Sequence, residues 1–273
     1  MTVRFGRFIM IFRLTLVFVL AAAPAMAADY PCLIEPRQVL KLAASVQGVV
    51  SAVAVDRGDR VRKGQLLANL DSEVEEANVS IARLRAMNDT QVAAAQAKLD
   101  YLRRKMARKD KLQNNAYGSA AELDEAQSDE KVAEAQYREQ VLNLNQAKLE
   151  AVRAEGMLHQ RHILSPVNGV VTERTLGQGE FLNDQAHILT IAEMDPLRVE
   201  GYLPISVYGH IKVGDVAEVL PEAPVGGSFK AKIVVLDSVF DAASNTIGVR
   251  LELPNPDLRL PAGIHCRVRF GEP

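Results

Sequence analysis

The sequence predicts an elongated α+β protein: a β-sandwich split by a long antiparallel α-helical hairpin and followed by a small β-barrel. Three observations predict it. Two Gly-punctuated, strand-type segments match each other without gaps at an offset of 121 residues. Between them lies a Pro-free stretch of strong helix formers with one internal turn signal. After them come several short strand-type runs separated by Gly and Pro.

The chain has 273 residues, enough for two or more small domains, and its formal net charge of -2 argues against a nucleic-acid binder. It has no Trp, and aromatics make up 5% of it, which suits narrow helical seams and short strands better than one large aromatic core. Residues 1–27 read as a secretory signal peptide. Arg4, Arg7 and Arg13 give a basic start, Leu14 to Ala23 is a short apolar run, and Ala25-Met26-Ala27 is a small-x-small site with cleavage expected after Ala27. The alternative is an uncleaved anchor from Phe8 to Ala23, against which Arg13 in its middle argues. Asp29-Tyr30-Pro31 before Cys32 is not a lipidation signal, and no later apolar run is long enough to cross a bilayer. Cys32 and Cys266 are the two cysteines. In an exported chain they allow one disulfide, or remain two unrelated thiols.

The hairpin is expected over residues 72–158, with its turn near 114–118. Asn114-Asn115-Ala116-Tyr117-Gly118 interrupts the helical pattern, and each half opens with a capping-box signal, Ser72 with Glu75 and Ser119 with Glu122. Two arms of roughly forty residues, roughly 60 Å each, joined by a short turn must lie antiparallel. In the second arm Leu123, Tyr137, Leu144, Ala151 and Leu158 form a heptad seam with Ala126, Ala133, Ala147 and Ala154; Glu130 and Gln140 interrupt it. In the first arm Val74, Ala77, Ile81 and Leu84 set one register. Val92, Ala95, Leu99, Leu102 and Met106 set another, offset by a four-residue stutter that unwinds the coil locally. So slender a pair buries little surface, and packing against neighbouring copies is expected.

The flanking repeat is the strongest signal. Ala44-Ser45-Val46-Gln47-Gly48-Val49-Val50 lies over Ser165-Pro166-Val167-Asn168-Gly169-Val170-Val171. Arg57-Gly58-Asp59 lies over Gln178-Gly179-Glu180, Val61 over Leu182, and Leu70 over Ile191. Each half has too few strands to bury its apolar face alone, so the two are expected to close one sandwich. The hairpin is then an insertion that projects as a stalk.

Two lipoyl-like halves (39–71 and 162–193) around a helical hairpin resemble the periplasmic adaptor, or membrane fusion (HlyD-like), family of tripartite efflux and secretion pumps. The later strand-type runs, Leu197 to Leu203, Phe229 to Val239, Thr246 to Leu253 and Ile264 to Phe270, suit the family's β-barrel, here 196–273. Segment 28–38 is expected beside that barrel, and no membrane-proximal domain is expected. Biotin and lipoyl carriers share the sandwich but keep a modifiable Lys at the junction; Leu70-Asp71-Ser72-Glu73 offers none. A carrier-type enzyme component, or a structural coiled coil without a transport role, are the alternatives.

The resemblance implies the partners: a TolC-like outer-membrane channel, an inner-membrane transporter and further copies of the chain, six in the family, in the periplasm of a Gram-negative bacterium. It also implies a docking tip of pattern R-x3-L-x6-S, met here by Arg108, Leu112 and Ser119. Taken alone, Ser119 is an N-cap, Leu112 the last seam residue, and Arg108 one of several bases complementing a helix dipole. The family's course, with the N-terminal segment rising beside the barrel, would bring Cys32 near Cys266. A disulfide closing so long a loop is worth roughly 4–5 kcal/mol in the entropic picture. No catalytic motif, cofactor signature or nucleic-acid signature stands out; His159 and His162, three apart, are a weak metal pair better read as a solvated helix end. The expected role is therefore mechanical rather than enzymatic, with no cofactor.

Overall fold

The structure, a computed structural model, describes residues 1–2, 29–115 and 117–271. The signal-peptide expectation for residues 1–27 lies outside them, apart from the first two.

The sandwich is built from β2 (Gln38–Leu42), β3 (Gly48–Val53), β4 (Arg60–Val61) and β5 (Leu66–Leu70) before the hairpin, and β6 (His162–Leu164), β7 (Gly169–Arg174), β8 (Phe181–Leu182) and β9 (Leu189–Glu193) after it. Its two sheets run β2-β9-β7-β4 and β6-β5-β3-β8. Each sheet therefore mixes strands from both repeats. The exchange is reciprocal: Gly58 N donates to Val171 O, and Gly179 N donates to Val50 O. Gly58 and Gly179 both take positive φ, +96° and +86°, which a side chain would strain. The apolar positions of the repeat become one core, with Val50, Leu67 and Leu70 of the first half packed with Val171, Ile188 and Ile191 of the second. Neither half has a closed core alone, because each lends a short strand to the other's sheet.

The hairpin leaves after β5. Its first arm is two helices, α1 (Glu73–Met87) and α2 (Thr90–Asn114), and its second is α3 (Ala120–His159). The expected continuous first arm is thus corrected. The break falls at the stutter, where Asn88 becomes extended (ψ 94°) and its Oδ1 accepts from the Thr90 N–H and hydroxyl. An Asn side chain that satisfies freed backbone donors makes such a break cheap. The α3 seam is as the heptads predict: Ala126, Ala133 and Ala151 are buried, and Leu123, Tyr137, Leu144 and Leu158 half-buried. Leu99 of α2 is fully buried against it.

In α1 the predicted register is wrong. Val74, Ala77, Ile81 and Leu84 are exposed, and Val79, with Glu75, Ala82 and Ala86, forms the seam instead. Small Ala residues let α1 approach α3 closely, which leaves the large side chains outside. The capping boxes also fail in detail. Ser72 and Ser119 stand at the N-terminal boundaries, but neither hydroxyl caps the helix. Ser72 donates to Glu76, and Glu122 accepts from Lys109.

The barrel closes in the order β1-β10-β13-β12-β11-β14, from β1 (Asp29–Glu35), β10 (Leu197–Pro204), β11 (Val216–Pro221), β12 (Phe229–Leu236), β13 (Thr246–Leu253) and β14 (Ile264–Phe270). The segment before the sandwich is itself a wall strand: β1 pairs with β10 on one side and β14 on the other. Inward residues alternate, as a barrel requires; Ile34, Val199, Val219, Ile233, Leu251 and Val268 are fully buried. Asn255 ties barrel to sandwich. Its Nδ2 donates to Met194 O and Leu260 O, and its Oδ1 accepts from Leu260 N.

Candidate docking site

The tip of the hairpin is the farthest point of the stalk from the sandwich. Arg108 and Leu112 lie one turn apart on the last two turns of α2 and are both exposed, Leu112 by 45%. Ser119 stands across the turn, exposed, at the start of α3. The turn is tight: a Cβ on Gly118 would lie 2.9 Å from the backbone N of Gln113. Tyr117 N donates back to Leu112 O, so the turn closes on the residue expected to dock.

Below it the two helices are clasped by charge. Lys109 Nζ reaches Glu122 Oε2 at 2.8 Å, Lys105 Nζ reaches Asp129 Oδ2 at 3.0 Å, and Arg103 Nε reaches Glu130 Oε1 at 3.1 Å. The Lys109 ammonium holds the Glu122 carboxyl below the usual range, and the hydrogen bond to Asp129 raises the Lys105 ammonium above its own. Much of the basic run is therefore a cross-helix clasp. Arg104, Arg108 and Lys111 make no ion pair among the described residues.

At the root, sequence reasoning missed Arg161. Its Nη2 and Nε grip Glu75 Oε1 at 2.6 and 3.1 Å, and its Nη1 donates to Gln47 O at 3.1 Å. One side chain joins both arms of the hairpin to the sandwich. No motif signals it; only its place at the end of the last helical turn could have. Beside it His162 Nδ1 meets Asn69 Oδ1 at 2.9 Å, so this imidazole belongs to the root's hydrogen bonding. Among the described residues no group of three His, Cys, Asp or Glu side chains could hold a metal ion.

In the barrel, Cys32 and Cys266 are paired directly across β1 and β14, both buried, with Sγ atoms 2.04 Å apart. Asp29 accepts a two-pronged contact from Arg269 at 2.8 and 3.1 Å near the same edge. The far end of the barrel, where β10 finishes, carries exposed apolar side chains. Tyr208 and Phe240 stack edge to face at 5.0 Å, and Val239 is 83% exposed. No described helix is long and apolar enough to cross a membrane.

A split sandwich with an inserted stalk and an attached six-stranded barrel defines an adaptor-type architecture. Residues 38–193, more than half of the chain, match the family of the CzcB-like, barrel-sandwich hybrid domain, and residues 199–273 match the CusB-like, beta-barrel domain. The chain belongs to the membrane fusion (periplasmic adaptor) proteins that carry these domains. It is 29% identical to the macrolide export protein MacA of Escherichia coli O157:H7, over 82% of this chain and 63% of that protein. It is 23% identical to the cobalt-zinc-cadmium resistance protein CzcB of Cupriavidus metallidurans, over 81% of this chain and 40% of that protein. It thus spans less than two thirds of the length of either relative. Among solved structures, MacA from Actinobacillus actinomycetemcomitans shares the fold, with a TM-score of 0.70 at 21% identity over 89% of this chain and 78% of that one.

Proposed function

We propose that this chain is the periplasmic adaptor of a tripartite efflux or secretion pump, linking an inner-membrane transporter to a TolC-like outer-membrane channel. One observation carries the reading: the reciprocal strand exchange between the two half-sandwiches, which obliges the intervening residues to leave as a rod. The 40 residues of α3 set that rod at about 60 Å. Its exposed tip residues, Arg108, Leu112 and Ser119, suit a helical partner end-on: Arg donates to carbonyls or carboxylates, and Leu fills a groove between helices. The apolar far end of the barrel suits the inner-membrane partner.

Copies assemble side by side, in a ring of six if the family's pattern holds. Support comes from large apolar residues left outside the seam, Ile81, Leu84, Leu142, Leu149 and Met157 among them. The role is mechanical, with energy supplied by the transporter and no cofactor of its own. Relatives named for macrolides and for metal ions share this architecture, so the substrate is set by the partner. The Cys32–Cys266 pair acts as a disulfide that fixes β1 in the barrel wall.

The test is Arg108→Asp. It should abolish cross-linking of the tip to the outer-membrane channel while circular dichroism and melting stay unchanged. Undiminished cross-linking would overturn the docking role.

A further inference from the structure

We infer that the far rim of the barrel rests on lipid, at the surface of the membrane that holds the transporter, with the loop between β10 and β11 (205–215) entering the headgroup region. Which membrane this is rests on the adaptor reading; the contact with lipid does not. The loop has two sides. Ile211 is buried in the barrel core and Val207 packs against it, so these two close the barrel's mouth from within. Tyr208 and Val213 of the same loop stay exposed, by 43% and 62%. Phe240, from the loop between β12 and β13, packs edge to face on Tyr208 and is itself exposed. The Ile205 N–H donates to Asn245 O, which joins the two loops into one surface. Two acids of these loops are used up in their own turns: Asp215 accepts from the Lys212 N–H, and Asp241 from the Ala243 N–H and the Ser244 hydroxyl. Lys212 is exposed and in no ion pair among the described residues. Exposed aromatic rings with a free lysine beside them suit a bilayer surface, where rings lie at headgroup level and an ammonium meets phosphate.

The course of the chain points to what covers this surface. β1 runs antiparallel to β10, with Glu35 opposite Arg198, so Asp29 lies at the end where β10 finishes at Pro204. Asp29 is therefore on the rim, and the other end of β1 leads into the sandwich through β2. The apolar run Leu14 to Ala23 ends six residues before Asp29, at most about 22 Å of chain at roughly 3.6 Å per residue. That limit holds whatever path those residues take. A membrane that holds the run, as an export signal or as an anchor, thus lies within that distance of Tyr208's end of the barrel and far from the stalk. Once the chain is cut after Ala27, only the rim's own side chains keep it there. Lipid and transporter then meet the same end of the barrel side by side.

The chain has no Trp, so Tyr208→Trp in the full chain supplies a single fluorophore and keeps an aromatic ring in place. Vesicles of phosphatidylethanolamine and phosphatidylglycerol should shift its emission to the blue. Lipids brominated near the headgroup end of their acyl chains should quench it, because interfacial side chains lie about 5–10 Å into that boundary. Val132→Trp, at an exposed site on the stalk, should show neither effect. Adding Val213→Asp to Tyr208→Trp should abolish both the shift and the quenching; Val213 is exposed, so circular dichroism should not change. An unshifted, unquenched Tyr208→Trp would overturn the contact and leave the rim to protein partners alone. Quenching that survives Val213→Asp would assign the contact to the segment before Asp29 and overturn the rim's part in it. Equal quenching of Val132→Trp would reveal adsorption without orientation, which also contradicts it. None of these results bears on the Arg108→Asp cross-linking by which the adaptor reading is judged.

Discussion

At the scale of single residues, Arg161 ties the root of the hairpin to the sandwich. From its place just beyond the end of α3, its guanidinium joins Glu75 at the base of α1 to Gln47 in the sandwich. Arg161→Ala should lower stability by about 1–3 kcal/mol in urea, since it strands a half-buried carboxylate. Arg161→Lys should recover only part of that, because an ammonium lacks the planar fork. Equal stability of all three proteins would contradict this role. Asp29 offers a pH test. Its bond to Arg269 holds the Asp29 carboxyl below the usual range. A folded-state pKa below the unfolded one gives support that is complete above the unfolded value and disappears as pH falls through the folded value. The stability gap between wild type and Asp29→Asn should therefore close on acidification. A gap that persists to the lowest pH at which the protein folds would rule this out. None of these residues was legible beforehand; partners 86 and 240 positions apart carry no local pattern.

At the scale of elements, legibility tracked how local the cause is. Repeat glycines, the 114–118 turn signal and the short strand-type runs after residue 196 are local, and the sandwich, hairpin and barrel follow from them in turn. The α3 seam was legible because Ala and Leu alternate at heptad spacing. The α1 seam was not, because close packing chose Val79 and Ala82 over the bulkier Ile81 and Leu84. Chemical denaturation separates the two registers. Ala133→Leu should cost about 1–3 kcal/mol by overpacking the α2–α3 contact. Leu84→Ala should cost less than about 0.5 kcal/mol in the isolated chain. A large loss from Leu84→Ala would reinstate the discarded register. In the barrel, β1 is held by pairing on both edges and by the proposed disulfide. Non-reducing and reducing peptide maps should show one Cys32–Cys266 linkage, and Cys32→Ser with Cys266→Ser should lower stability by up to about 4–5 kcal/mol. Two free thiols in periplasmic material would refute the link.

At the scale of the whole molecule, the proposed bridging role rests on length and on two different ends. The strand exchange fixes both roots of the hairpin in one sandwich, so the rod cannot fold back into a core of its own. The tip presents Arg108 and Leu112, and the far rim of the barrel presents Tyr208, Val239 and Phe240. The sequence pointed to the tip because its pattern is short and contiguous. It did not point to the rim, whose residues come from two loops joined only by the closed barrel. The most direct measurement of bridging places a photo-activated cross-linker at Leu112 or at Val239 in living cells. The tip position should capture an outer-membrane channel, and the barrel position an inner-membrane transporter from the same cells. Capture of proteins of a single membrane from both positions would contradict the bridge.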